Sequence, residues 1–178
     1  MLPLGTKAPD FTLPDVISGS TIGLEDIMKS NGILIMFVCN HCPYVKHVQE
    51  ELVKLGNEYL EKGIGIAAIS SNDMEYYPED SPEQMLALAK KWQYHFPYLY
   101  DETQAVAKSY DAACTPDFYH FNRNRELVYR GQLDESRPGN NIPVTGNDLR
   151  SAMDDLLAGN PISETQIPSV GCNIKWKQ

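Results

Sequence analysis

The 178-residue chain is 42% apolar and only 22% charged, enough for one buried core and too apolar for a disordered segment. Its 24 acidic residues against 15 basic ones leave a formal charge of −9, a surface that repels phosphate and argues against nucleic acid and anionic membranes as partners. No run approaches the roughly 18 consecutive apolar residues of a membrane span.

The opening MLPLGTKAPD carries neither the basic nor the apolar stretch of a secretory signal, so none is expected. The first 23 residues, punctuated by Pro3, Gly5, Pro9, Pro14, Gly19 and Gly23, read as edge strands and turns. Gly32 then opens ILIMFVC, a continuous apolar run that suits a strand covered on both faces. From Pro43 the period changes. Val45, Val48, Leu52, Leu55, Tyr59 and Leu60 recur at steps of three and four, one face of a helix that ends at Gly63. Residues 64–69 form a second buried strand, so strand, helix and strand make a βαβ unit with parallel strands.

A polar stretch ends in Ser81, the expected N-cap of a helix over 82–92. Residues 97–100 read as a short strand and 103–110 as a short helix. Residues 118–121 and 127–129, flanking the turn-rich 122–126, read as an antiparallel hairpin. A last helix runs from about Gly146 through Leu157, and residues 161–178 form a tail too polar for a core element. The whole is a single α/β layered domain, residues 1–178.

The four cysteines are Cys39, Cys42, Cys114 and Cys172, too few for a disulfide scaffold. Cys39-Asn40-His41-Cys42 lies where the first buried strand hands over to the long helix, and its spacing favours redox chemistry in a reducing, cytoplasmic setting. A helix N-terminus offers unpaired N–H groups and a partial positive charge, which stabilise a thiolate. One thiolate then attacks a substrate disulfide and the other resolves the mixed disulfide, with His41 favouring the reduced, ionised form. Zinc is the competing chemistry, since Cys39, His41, Cys42 and His47 are all potential ligands.

The sequence resembles the thioredoxin superfamily, in its redoxin or AhpC/TSA-like branch. The likeness rests on four stretches: Leu4-Gly5 with residues 8–15, residues 37–45 around the cysteines, Thr115-Pro116, and the terminal residues 168–176. It implies a thioredoxin-like fold, a central mixed sheet flanked by helices with an N-terminal β extension and a C-terminal tail. It further implies that Cys39 is the exposed attacking thiol and Cys42 the buried resolving one. Thr115-Pro116 would be a cis element beside them, its Thr115 backbone free to pair with an extended substrate. The implied activity is thiol–disulfide oxidoreduction without a bound cofactor or metal. A disulfide-bearing protein or small thiol would be substrate and an upstream thiol would be reductant.

Two departures bear on that template. Val38 stands where thioredoxin has a Trp, and Ile33 where it has a buried acid. The peroxiredoxin motif, Thr-x-x-Cys, instead places Cys39 at the Thr and Cys42 at the peroxide-reacting cysteine. Its supporting arginine would then be sought among Arg123, Arg125 and Arg130. A peroxidase acting on peroxide, and a zinc-binding or non-catalytic module, therefore stay open. Cys114 reads as a small buried residue and Cys172 as either an accessory thiol or a merely packed one. Lys46 and His47 read as solvated helix-face residues. The acidic residues Asp73, Glu75, Glu79 and Asp80 read as a solvated loop, and the nearby Tyr76-Tyr77 as groove lining or core cover.

Overall fold

The computed structural model describes residues 2–178. Its elements follow in chain order as β1 (Thr12–Pro14), β2 (Thr21–Gly23), α1 (Leu24–Ile27), β3 (Ile33–Phe37), α2 (Pro43–Glu61) and β4 (Gly65–Ser70). After a short 3-10 turn at Pro78–Asp80 come α3 (Pro82–Trp92), β5 (Tyr98–Tyr100), α4 (Ala105–Ser109) and β6 (Cys114–Thr115). The chain closes with β7 (Asp117–Phe121), β8 (Leu127–Gly131), α5 (Asn147–Ala158) and β9 (Cys172–Asn173).

The central sheet has the order β5-β4-β3-β7-β8. β3 pairs parallel with β4, and β4 with β5, whereas β7 runs antiparallel between β3 and β8. The expected βαβ unit and the hairpin are both present. β3 is buried at every residue because each face meets a different core. Leu34 and Met36 pack with Val45, Val48 and Leu52 of α2 and with Leu149 and Met153 of α5. Ile33, Ile35 and Phe37 face the other way, toward Phe11, Leu24, Tyr110 and Tyr119. A strand covered on both faces has no polar positions to alternate with, which is why its sequence is an unbroken apolar run.

The hairpin β1–β2 and α1 close that second face, and an isolated bridge from Asp15 to Leu99 ties them to β5. The tail departs from expectation. It supplies β9, which pairs antiparallel with β6, and its Ile174 is buried in the second core. A few apolar side chains (Ile162, Cys172 and Ile174), the backbone pairing and side-chain bonds such as Gln104 to the Lys175 carbonyl hold the segment, and none of these produces a periodic sequence pattern.

His120 in mid-β7 is fully buried, and its Nδ1–H donates to the Ile33 carbonyl at 3.1 Å. Burial pushes its pKa down from 6.5 to about 4. The unfolded chain therefore binds a proton here that the folded chain refuses, and stability is lost as pH falls from 6.5 toward 4. Asp117, raised by burial to about 6, acts with the opposite sign over an overlapping range. Comparison with His120→Gln isolates the histidine. Urea midpoints followed down through this window should fall less in H120Q than in the native chain, by about 3 kcal/mol at the acid end.

Candidate active site

Strand β3 stops at Phe37 because the next residues turn toward the first helical turn of α2. Pro43 occupies the first helical position, where its missing N–H leaves no gap, and Cys42 is the N-cap. The helix terminus thus lies under Cys42. Cys39 sits three residues upstream in the loop. The expectation of an exposed Cys39 is corrected: Cys39 is 1% exposed and Cys42 0%.

The two thiols share Thr115 and are close enough to couple in their ionisation. Cys39 Sγ lies 3.4 Å from Thr115 Oγ1, and Cys42 Sγ lies 3.3 Å from the Thr115 carbonyl oxygen, to which it donates only in its protonated form. The Thr115-Pro116 bond is cis, as the resemblance implied. The ionisation of the pair is polarised. The Cys39 S–H, then Cys172, the Val45 N–H and the Thr115 hydroxyl together hold Cys42 down to about 4 against the cost of burial. Cys39 moves the other way, held protonated by its bond to Cys42, by burial and by the negative charge of Asp80. The two sulfurs titrate as a pair, in the direction that favours the thiolate at Cys42. The helix terminus adds to this, since its partial positive charge falls off within one turn and reaches Cys42 first.

Asp80 organises the loop between them. Its carboxylate is fully buried and accepts from the Asn40 N–H (2.7 Å), the His41 N–H (3.1 Å), His41 Nδ1 (2.5 Å) and Asn72 Nδ2 (2.8 Å). Asn40 is held further by the Tyr98 hydroxyl, which donates to Oδ1 at 3.0 Å. The His41 ring stacks on Tyr77 at 4.7 Å and 15°. The reading of residues 73–80 as a solvated loop is corrected at Asp73 and Asp80, both buried. A carboxylate in a polar loop gives no sequence signal when most of its donors lie about forty residues away. Asp80→Ala leaves four donors facing one another, and should lower stability by about 2 kcal/mol or more. Thermal unfolding checks this, with Asp80→Asn falling between the variant and the native chain.

The backbone of Thr115 is not free, as the resemblance had implied. It pairs with Cys172 of β9, which lies in the lane expected for a substrate strand. Gly171 makes this approach possible, since a Cβ there would meet the Thr115 carbonyl oxygen at 2.0 Å.

Residues 4–130 match the family model described as the AhpC/TSA family. The chain belongs to that family. An uncharacterized conserved protein from Geobacillus kaustophilus is similar at 61% identity and TM-score 0.97, over 99% of this chain and 94% of that one. The thiol-disulfide oxidoreductase ResA of Halalkalibacterium halodurans is 26% identical over 124 residues, spanning 70% of this chain and 65% of that protein's own length. The thioredoxin domain of a thiol-disulfide oxidoreductase from Bacteroides vulgatus superimposes with TM-score 0.61 at 21% identity, over 77% of this chain and 91% of that one. That likeness shows the thioredoxin-like fold.

Other expected residues of this AhpC/TSA chain separate clearly. Cys114 is buried, its S–H directed to the Pro116 carbonyl at 3.8 Å, and burial and then Asp117 push its thiol up to about 12. His47 is on the outer face of α2, bonded to Ser136 Oγ at 2.7 Å, and Lys46 is exposed beside it. The zinc set Cys39, His41, Cys42 and His47 is therefore not assembled as expected. Cys39, His41 and Asp80 come together instead, with ligand-type atoms within 4.8 Å of one another. The Asp80 oxygens there already accept four hydrogen bonds. Arg123 and Arg125 lie in the β7–β8 turn, at the end of the sheet marked by the Ile33–Phe121 pair, whereas the cysteines follow the Phe37–Asp117 end. Arg130 is in mid-strand opposite Tyr119. One cation near the site is Arg137, unremarked in the sequence, which lines a crevice with Tyr44, Val48, Pro116 and Ser169 and donates to the Asp134 and Ser136 carbonyls.

Proposed function

We propose that this chain is a thiol–disulfide oxidoreductase in which Cys42 attacks and Cys39 resolves, the reverse of the roles that the resemblance implied. The observation that carries the reading is the Cys42 sulfur at the N-cap of α2, where the helix terminus favours its thiolate, with the Cys39 sulfur beside the same Thr115. The likeness to ResA supports the same chemistry.

The Cys42 thiolate attacks one sulfur of a substrate disulfide, forming the mixed disulfide and expelling the first substrate thiolate. Cys39 then attacks Cys42 Sγ and loses its proton, which the departing substrate thiolate takes up. The second substrate thiolate leaves, and the protein holds a Cys39–Cys42 disulfide. Two electrons have passed to the substrate, and an upstream thiol reductant returns them. A cytoplasmic location belongs to the proposal, supported by the sparse cysteines. The pre-reduced protein mixed with oxidised glutathione tests the reading. Glutathione release with a disulfide mapped to Cys39 and Cys42 supports it, and persistence of both thiols against excess oxidant rejects it.

Peroxide reduction is a second reading, favoured by Cys42 standing where the resemblance puts a peroxide-reacting cysteine. Among the arginines expected to support peroxide, Arg123 and Arg125 lie at the far end of the sheet. A sulfenic acid trapped on Cys42 by dimedone within seconds of adding peroxide would favour it.

A further inference from the structure

Resting on the reading of Cys42 as the attacking thiol, we propose that Cys172 is a second resolving thiol, delivered by the tail strand β9 as a tethered disulfide partner. Three independent observations place it there. First, β9 pairs antiparallel with β6, setting Cys172 opposite Thr115, the residue that touches both active sulfurs. Second, the Cys172 side chain packs against the buried cluster that contains Cys39 and Cys42, near enough to Cys42 for the two thiols to influence each other's ionisation. Third, the register is enforced: Gly171 lies so close to the Thr115 carbonyl that any side chain would lift the strand.

The segment is pinned on both sides of Cys172. The Ile174 N–H donates to the Ala113 carbonyl at 3.2 Å, the Asp73 N–H to the Lys175 carbonyl at 2.9 Å, and the Gln132 N–H to the Ile167 carbonyl at 3.0 Å. Unlike Cys39 and Cys42, Cys172 is only half-buried, so it meets the mixed disulfide from the open side of the site. Burial and the neighbouring Cys42 push the Cys172 thiol up to about 11, with Lys175 opposing them in part. The tail thus occupies the lane of an extended substrate and carries a cysteine at the position of the substrate's own. Cys42 is fully buried beneath it, so a small disulfide as well as an extended protein substrate must first displace the strand.

The step balances. After Cys42 has taken one half of a disulfide, Cys172 loses its proton to solvent and attacks Cys42 Sγ. The Cys42–Cys172 bond forms, the mixed disulfide breaks, and the second substrate half leaves as a thiolate that takes up a proton. Overall, two protein thiols are oxidised and one disulfide is reduced to two thiols.

Oxidised glutathione and the Cys39→Ser variant test this, because the usual resolving thiol is then gone. C39S should release two glutathiones per chain and show a Cys42–Cys172 link in non-reduced peptide mapping. C39S/C172S should release one and retain glutathione on Cys42. A glutathione adduct that persists in C39S with Cys172 open to alkylation overturns the inference, and so does a Cys42–Cys114 link. Wild-type chain that exchanges normally beside such a result leaves the Cys39–Cys42 reading standing, whereas wild-type chain inert to oxidised glutathione overturns both. Gly171→Ala in the C39S background keeps every thiol but lifts β9, and should slow the second release about tenfold or more. An unchanged rate, with native circular dichroism, rules out delivery by this strand.

Discussion

Cys42→Ser is expected to lower disulfide exchange by about a thousandfold or more, while Cys39→Ser allows the first substrate thiol to leave at close to the native rate and then stalls turnover. The asymmetry follows from position. Cys42 caps α2 and carries the ionised sulfur, whereas Cys39 acts only after a mixed disulfide exists. Rapid-quench release of the first thiol, followed by mass mapping of the adduct, separates the two steps. An adduct trapped on Cys39 in the Cys42→Ser variant would restore the assignment implied by the resemblance. Slow resolution by Cys172 in the Cys39→Ser variant is compatible with the stall, since that route replaces the faster one.

The second large effect is on pH dependence. Alkylation of Cys42 by iodoacetamide should be nearly level from about pH 6 to pH 8, where an ordinary thiol gains about tenfold per unit. The thiolate is already formed, its pKa held at about 4 first by the Cys39 S–H. Cys39→Ala removes that donor, so the profile should climb again within the same range. A level profile in both proteins would assign the ionisation to the helix terminus alone.

The sign of the linked stability follows from the same shifts. Cys42 has a folded pKa below its ordinary 9.0, so its contribution is complete above that value and is lost as pH falls toward 4. Cys39 is shifted upward, so its contribution is present below 9.0 and lost only in stronger alkali. The pair therefore stabilises the fold increasingly from about pH 4 up to the ordinary thiol range and less beyond it.

The layered architecture was open to reading in the chain itself. Apolar runs at Ile33–Phe37 and Gly65–Ser70, separated by a stripe of period 3.6, dictate parallel strands joined by a helix. Each of these signals is local, carried by residues that repeat within one element. Pro43 also marked the helix start, and with it the place where a thiol would ionise. The identity of that thiol was harder to read. The four-residue motif puts two sulfurs near the terminus, and only the backbone path decides that Cys42 caps the helix while Cys39 lies upstream.

Long-range placement accounts for the remainder. Asp80 reads as one acid among several, and becomes the buried acceptor for Asn40, His41 and Asn72 only when its turn folds over the loop. Cys172 sits in a polar tail without periodicity, yet β9 brings it against Thr115 across more than fifty residues of chain. Hydrophobic period and turn chemistry are written in neighbouring residues and therefore specify elements. Hydrogen-bond partners and sulfur neighbours are set by which surfaces the packed elements present to one another, and that order exists only in three dimensions.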